Sequence, residues 1–391
     1  MKVAILSSGR FHVLDLAREL VANGHEVLFY SLVPPWQTRR FGLPMKANRW
    51  LGPALGPLWL AYRGLSRAGR TDLARTAHRI QTEGLDRAVA ALLEPCDVLI
   101  TMSGMGLHTL RKAKRRGAFT LVERGSMHIE AQRQILASNP EAGRDAGGPI
   151  PDWVIARELA EYAECDLVSV PSHHAEASFH ERGVTHTFRN PYGVSLSEFT
   201  PTRAPTHRRI LMVGTWSFQK GVDTLVEAFA RLRARPGFSD LELHHVGPVG
   251  DLALPTVPGF THHAPVPQAE LTRFYAEATV SVLPSRQDGF GMVLCQSLAA
   301  GVPIVASTRT GGPDLAGLVS DPRAVSLVAP EDVAALADAL AEAVLGRAAP
   351  GSLRSLLSEA ERDSLSWRGY GRRYDQCLRE RVVDRGGLAR W

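Results

Sequence analysis

The segment from Leu283 to Asp314, LPSRQDGFGMVLCQSLAAGVPIVASTRTGGPD, constrains the fold of this chain more than any other. The apolar run Val280–Leu283 ends at Pro284 as a buried strand would, Gly289 and Gly291 bracket Phe290, and a helical run follows. The first amides of that helix have no partner within it, so they suit a pyrophosphate. Gly301 and Pro303 then lead into the strand Ile304-Val305-Ala306, and Gly311-Gly312 opens a second loop with backbone room for a close ligand. Two glycine elbows in series at strand ends predict an α/β chain with a nucleotide-type pocket, contacted by Gly289, Phe290, Gly291, Met292 and Val293. Asp288 precedes the helix and Gln296 stands two turns into it, so both side chains are expected to face one ligand.

The rest of the chain alternates strand and helix signals. Val3-Ala4-Ile5-Leu6, the loop Ser7-Ser8-Gly9-Arg10, a helix to about Ala22 and the strand Val27–Tyr30 form a βαβ opening, with Gly9 and Arg10 placed as substrate contacts. Further strands are predicted at Val98–Thr101, Phe119–Val122 and Leu167–Val170, with a helix around Leu107–Arg116. A linker-like stretch from Asn190 to Pro205 precedes a second start at Arg209-Ile-Leu-Met-Val-Gly214, again strand, loop and helix. The loop Gly214–Gly221 ends in Lys220, a cation suited to neutralise a diphosphate, and only five lysines stand against forty arginines in the chain. After the strand ending at Val122, Arg124, Gly125 and His128 fall on the edge where open α/β sheets bind ligands; His128 is the candidate catalytic residue there, and Arg124 the candidate for phosphate or acceptor. The histidine pairs 173–174, 244–245 and 262–263 give no metal spacing, since neighbours on a strand or helix point apart.

The acid-Gly-Phe-Gly run, the second polar position eight residues after Asp288 and the following Ala-x-Gly-x-Pro resemble the donor-binding signature of the family 4 glycosyltransferases of GT-B fold. The resemblance implies two Rossmann-like, doubly wound parallel-sheet domains facing a central cleft. Residues 1–190 would form the acceptor-side domain and residues 191–366 the nucleotide-sugar domain, with a final helix, about 367–391, crossing back from Ser366-Trp367-Arg368-Gly369-Tyr370 onto the first. Two positions depart from the family, which carries Glu where this chain has Asp288 and Gln296, and Thr215 replaces an Arg commonly found after Gly214; altered donor binding is expected. The implied reaction is metal-independent transfer of a hexosyl group from a nucleotide-diphosphate sugar to an acceptor hydroxyl, with retention at the anomeric carbon. His128 and Asp288 would orient the sugar, Gln296 would meet the ribose, and Lys220 with the Phe290–Val293 amides would stabilise the leaving phosphate. No cofactor beyond the donor substrate is implied. The alternatives are a catalytically silent homologue that serves as a binding partner, and a nucleotide-sugar epimerase.

Charge bears on the acceptor. The whole formal excess of +5 falls in residues 1–190, where 24 Lys+Arg face 19 Asp+Glu. Nine basic residues and one acid lie within residues 31–80, interleaved with Trp36, Phe41, Trp50, Trp59 and Tyr62, a pattern suited to an anionic membrane surface. A lipid-linked saccharide in polysaccharide or glycolipid synthesis is the expected acceptor, and no nucleic-acid motif accompanies the charge. The opening MKVAILSSGR carries no secretory pattern and the longest weakly polar run, Leu51–Tyr62, is too short to span a bilayer, so a cytoplasmic enzyme peripheral to the inner membrane face is expected.

Overall fold

The computed structural model describes residues 1–138 and 150–383, so the end of the expected crossing helix, 384–391, lies outside the described residues. Two parallel sheets organise the chain. The first contains β1 (Lys2–Ser7), β2 (Glu26–Ser31), β3 (Asn48–Trp50), β4 (Val98–Met102), β5 (Phe119–Glu123), β6 (Leu167–Val170) and β7 (Thr187–Arg189), in the order β3-β2-β1-β4-β5-β6-β7. The second contains β8 (Arg209–Val213), β9 (Glu242–Val246), β10 (Phe260–His263), β11 (Val280–Leu283), β12 (Ile304–Ser307) and β13 (Val325–Val328), in the order β10-β9-β8-β11-β12-β13. Both are doubly wound, and in each the strand order reverses beside the first strand, between β1 and β4 and between β8 and β11. Ligands of such sheets sit beyond the carboxyl ends of the strands at that reversal.

The strands are apolar runs because both of their faces are covered. Alternate residues of β1 go to different cores: Val3 and Ile5 to one, Ala4 and Leu6 to the other. The first of these cores is shared by the two sheets. It passes from Val3 and Ile5 through Tyr192, Val194 and Tyr370 to Leu211 and Leu283, so the linker and the helix Trp367–Val383 are part of the packing that holds the sheets together. That helix lies along the first, Phe11–Ala22: a Cβ on Gly371 would fall 2.4 Å from Cβ of Glu19, and His25 bonds Asp375 at 2.6 Å.

One reading of the sequence needs correction. The second glycine elbow holds no ligand space, because a Cβ on Gly311 would meet the Phe290 ring at 2.2 Å and one on Gly312 would meet Ala306 and Leu327 at 2.9 Å. These glycines admit Phe290 and sheet side chains. The basic-aromatic stretch is built of regular elements: Pro35–Arg40 is a short helix, β3 extends the sheet edge, and Gly52–Arg67 and Thr71–Leu92 pair as helices. The helix Gly52–Arg67 has no buried residue. Among the described residues no helix is long and apolar enough to cross a membrane.

Candidate active site

The site begins where β8 and β11 end. Gly214, with φ near 142°, donates its N–H to Val246 O at 3.0 Å and turns the chain into the loop that leads to Lys220. Trp216 is buried under this loop and bonds Ala253 O at 3.1 Å, while Asp251 accepts the Phe218 amide at 2.9 Å. Gly221 is left-handed (φ 68°), and a Cβ there would lie 2.3 Å from Pro284 O. Only glycine lets the loop after β8 rest directly on the loop after β11. Gln219 then bonds Gln287 Oε1 at 2.7 Å, and the Lys220 ammonium pairs with the Asp288 carboxylate. Gly291, also left-handed (φ 81°), starts the helix Met292–Ala299; its carbonyl accepts from Leu294, which leaves the Met292 and Val293 amides with no partner inside the helix.

Across the cleft the first sheet supplies a close-fitting wall. Ser172 donates to Gly289 O at 2.6 Å, Gln287 donates to Ser126 Oγ at 2.8 Å, and a Cβ on Gly289 would stand 2.0 Å from Gly125 O. Asp314 accepts the His173 amide at 3.0 Å and pairs with Arg189 at 3.2 Å, a second bond between the two halves. The resulting cavity of about 270 Å³ is bounded by Gly125 and Tyr192 on one side and by Gly214, Lys220, Asp288 and Phe290–Val293 on the other. A larger cavity, about 580 Å³, adjoins it: Met292 belongs to both walls, and Arg10, His12, Arg40, Phe41 and Trp367 bound the second.

Of the residues singled out in sequence, Gly214, Lys220, Asp288, Phe290, Gly291, Met292 and Val293 are thus brought to one cavity. Gly289 is the point of contact between the halves. Gly9 sits at the end of β1, its carbonyl accepting from Ser7 Oγ at 2.9 Å, and Arg10 reaches the larger cavity. Gln296 is 6% exposed and lies off the cavity wall, its Oε1 within 3.1 Å of the Tyr275 hydroxyl.

Two residues of the first half are placed differently from the sequence reading. His128 is 1% exposed and caps the helix Ile129–Ala137, accepting from the Glu130 amide, with its ring between Tyr162 and Phe179. Burial, with Arg182 and Arg124 nearby, holds its pKa down at about 4. The strand end pointed to the cleft, but capping turns the ring into the core. Arg124 is drawn inward as well, donating to Met127 O at 3.0 Å and Gln132 Oε1 at 2.6 Å and pairing with Glu158. The cleft positions belong instead to His12 and Tyr192. His12 bonds Glu123 at 2.9 Å and packs on Tyr192 at 4.4 Å between ring centres. Tyr192 is 6% exposed, borders the smaller cavity, and has a buried hydroxyl with no hydrogen-bond partner among the described residues. No local motif marks either residue. Their one sequence signal is position, at the start of the first helix and inside the linker.

The profile of the family described as Glycosyl transferases group 1 matches residues 207–345, the part that builds the Lys220–Val293 side of the cleft. Residues 207–345 carry the group 1 glycosyltransferase signature. The most similar relatives agree with this match. A D-inositol 3-phosphate glycosyltransferase of Arthrobacter sp. (strain FB24) is 36% identical over 207 residues, 48% of this chain and 46% of that protein. The match therefore spans less than half of that relative's length. A GDP-mannose-dependent alpha-(1-6)-phosphatidylinositol dimannoside mannosyltransferase of Mycobacterium tuberculosis is 27% identical over 75% of this chain and 73% of its own. Among solved structures, sucrose-phosphate synthase from Thermosynechococcus elongatus superposes over 98% of this chain and 100% of its own, with a TM-score of 0.63 at 20% identity. The two facing sheets are therefore the GT-B fold that the sequence led us to expect.

Proposed function

We propose that this protein is a retaining, metal-independent hexosyltransferase that moves a sugar from a nucleoside diphosphate to an acceptor hydroxyl. The donor is held by residues 191–366, and the acceptor meets the side formed by residues 1–190 and the helix Trp367–Val383. One observation carries the reading: Lys220, Asp288 and the open amides of Met292 and Val293 converge on one cavity at the strand-order reversal of the second sheet. An ammonium and a helix N-terminus facing the same space make a diphosphate site. The Lys220–Asp288 pair couples binding to orientation, since a diphosphate that takes the ammonium releases the carboxylate toward the sugar hydroxyls. The bond from the anomeric carbon to the diphosphate oxygen breaks while the acceptor oxygen attacks from the same face. The acceptor proton passes to the departing phosphate oxygen, whose charge Lys220 and the two amides stabilise.

The acceptor is a lipid-linked saccharide of glycolipid or polysaccharide synthesis, and the enzyme works at the inner face of the cytoplasmic membrane. Support comes from the helix pair beyond β3. Trp59, Leu60, Leu73 and Ile80 are exposed there beside Arg63, Arg67, Arg70 and Arg79, with Arg63 stacked 4.7 Å above the Trp59 ring, and Trp36 stands 66% exposed near the same sheet edge. Aromatic and basic groups on a helix with no fully buried residue suit a headgroup layer. The test is a donor screen with UDP-, GDP- and ADP-sugars, with and without a membrane lipid extract, scored by nucleoside diphosphate release. GDP-mannose is tried first, being the donor in the mycobacterial relative's name. Release that depends on the extract, with an α-linked product from an α-linked donor, supports the reading. Nucleotide binding without release from any donor would favour a silent homologue.

A further inference from the structure

The larger cavity has an electrostatic character of its own. Of the arginines on its wall, Arg18 is paired with Asp15 at 2.6 Å, and Arg368 is paired with Asp363 at 2.6 Å. Of the acids on the wall, Asp15 is paired with Arg18, and Glu198 accepts from the Gln268 amide at 2.7 Å and keeps its charge, one negative charge against the two remaining arginines. Arg10 and Arg40 are left, and among the described residues neither makes an ion pair or a hydrogen bond to an acid. Arg10 is held without one: its guanidinium carbon stacks 3.5 Å from the centre of the Phe41 ring, which fixes the group while leaving its N–H donors open. The same residue heads the twelve-residue helix Phe11–Ala22, which has no side-chain cap and no acid in its first turn. Two unpaired guanidinium groups and an open helix N-terminus therefore face one 580 Å³ space.

That space adjoins the donor cavity at Met292. We infer that it is the acceptor subsite and that the acceptor carries a phosphate group, gripped by Arg10 and Arg40, close to the hydroxyl that is glycosylated. This rests on the proposed transferase reading and adds to it the chemical class of the second substrate. Phosphate chemistry fits better than a neutral glycan because planar guanidinium donors match phosphate oxygens in pairs, whereas a neutral sugar would leave both guanidinium groups unpaired. Either a free sugar or polyol phosphate or the phosphodiester of a lipid headgroup offers this chemistry.

The test uses the full chain saturated with UDP or GDP, whichever binds, so that the diphosphate site is already filled. Myo-inositol 1-phosphate and myo-inositol are titrated by calorimetry, and phosphatidylinositol in phosphatidylcholine vesicles is compared with phosphatidylcholine alone. A phosphorylated ligand should bind at one site at least about tenfold more tightly than unphosphorylated inositol, and Arg10→Gln and Arg40→Gln should each weaken it about tenfold. Nucleotide affinity of both variants should stay at the wild-type value, which also shows that they are folded. Binding of the soluble compound assigns a free phosphate; binding of the vesicle-borne headgroup alone, lost in Arg10→Gln, assigns a lipid. Equal affinity for inositol and its phosphate, no phosphate-bearing ligand bound, or variants that bind like wild type would each overturn the inference while leaving nucleotide binding intact. Loss of nucleotide binding in the wild type would instead count against the transferase reading.

Discussion

A buried hydroxyl with no hydrogen-bond partner costs a protein on the order of 1–3 kcal/mol, and among the described residues Tyr192 keeps one at the wall of the proposed donor cavity. A ligand atom is the natural partner. Tyr192→Phe should therefore leave thermal stability unchanged or slightly higher while weakening donor binding several-fold; a drop in stability with unchanged donor affinity would mean that the residue only packs. His128 acts in the opposite sense. Its folded pKa, about 4, lies below the unfolded value near 6.5. Between those values the unfolded chain takes up a proton that the folded chain refuses, so stability is full above about pH 6.5 and falls as pH drops toward 4, by at most about 1.4 kcal/mol per pH unit. Denaturant melts at pH 7 and pH 5 should show a smaller acid loss in His128→Asn, which keeps the helix cap, with nucleotide affinity unchanged. Lys220 and Asp288 were readable in sequence because each belongs to a short run whose glycines declare the turn. Tyr192 and His12 were not, because only tertiary packing aims them at the cleft, and His128 misled because a strand end was followed at once by a helix cap.

At the scale of elements, glycines govern how closely loops approach. Gly289 touches Gly125 across the cleft so tightly that Gly289→Ala must push the halves apart. The predicted result is a fold that melts near the wild-type temperature but shows slower turnover, read as a fall in kcat with nucleotide affinity largely kept; unchanged kcat would contradict the contact. The helix Gly52–Arg67 makes the complementary case. Because none of its residues is fully buried, Trp59→Ala with Arg63→Gln should leave stability within about 0.5 kcal/mol and yet reduce flotation with anionic vesicles at low salt. Strands that are apolar on both faces, such as β1, β6 and β11, announce themselves in the sequence. The three-residue edge strands β3 and β7, Asn48-Arg-Trp and Thr187-Phe-Arg, do not, since exposed edges need no apolar run. Gly56, Pro57 and Gly64 likewise hide the helix that contains them.

In the whole molecule, two doubly wound sheets share one core through Tyr192, Val194 and Tyr370 and press their carboxyl ends together at Gly125 and Gly289. That closure sets the Lys220 cavity against the arginine-lined one, with Met292 between; on the function proposed above, nucleotide sugar occupies the Lys220 side and acceptor the Arg10 side. The fold class was legible because apolar strands and glycine turns repeat twice along the chain, whereas the joining of the two cavities depends on which residues meet across the cleft. The most direct test is a calorimetric titration of UDP and GDP into the wild type and Lys220→Ala. One nucleotide should bind at a single site, and loss of the ammonium should weaken it about 10- to 100-fold, the effect of removing one charge-assisted contact to phosphate; equal affinity in the two proteins would contradict a diphosphate seated between Lys220 and the Met292 and Val293 amides.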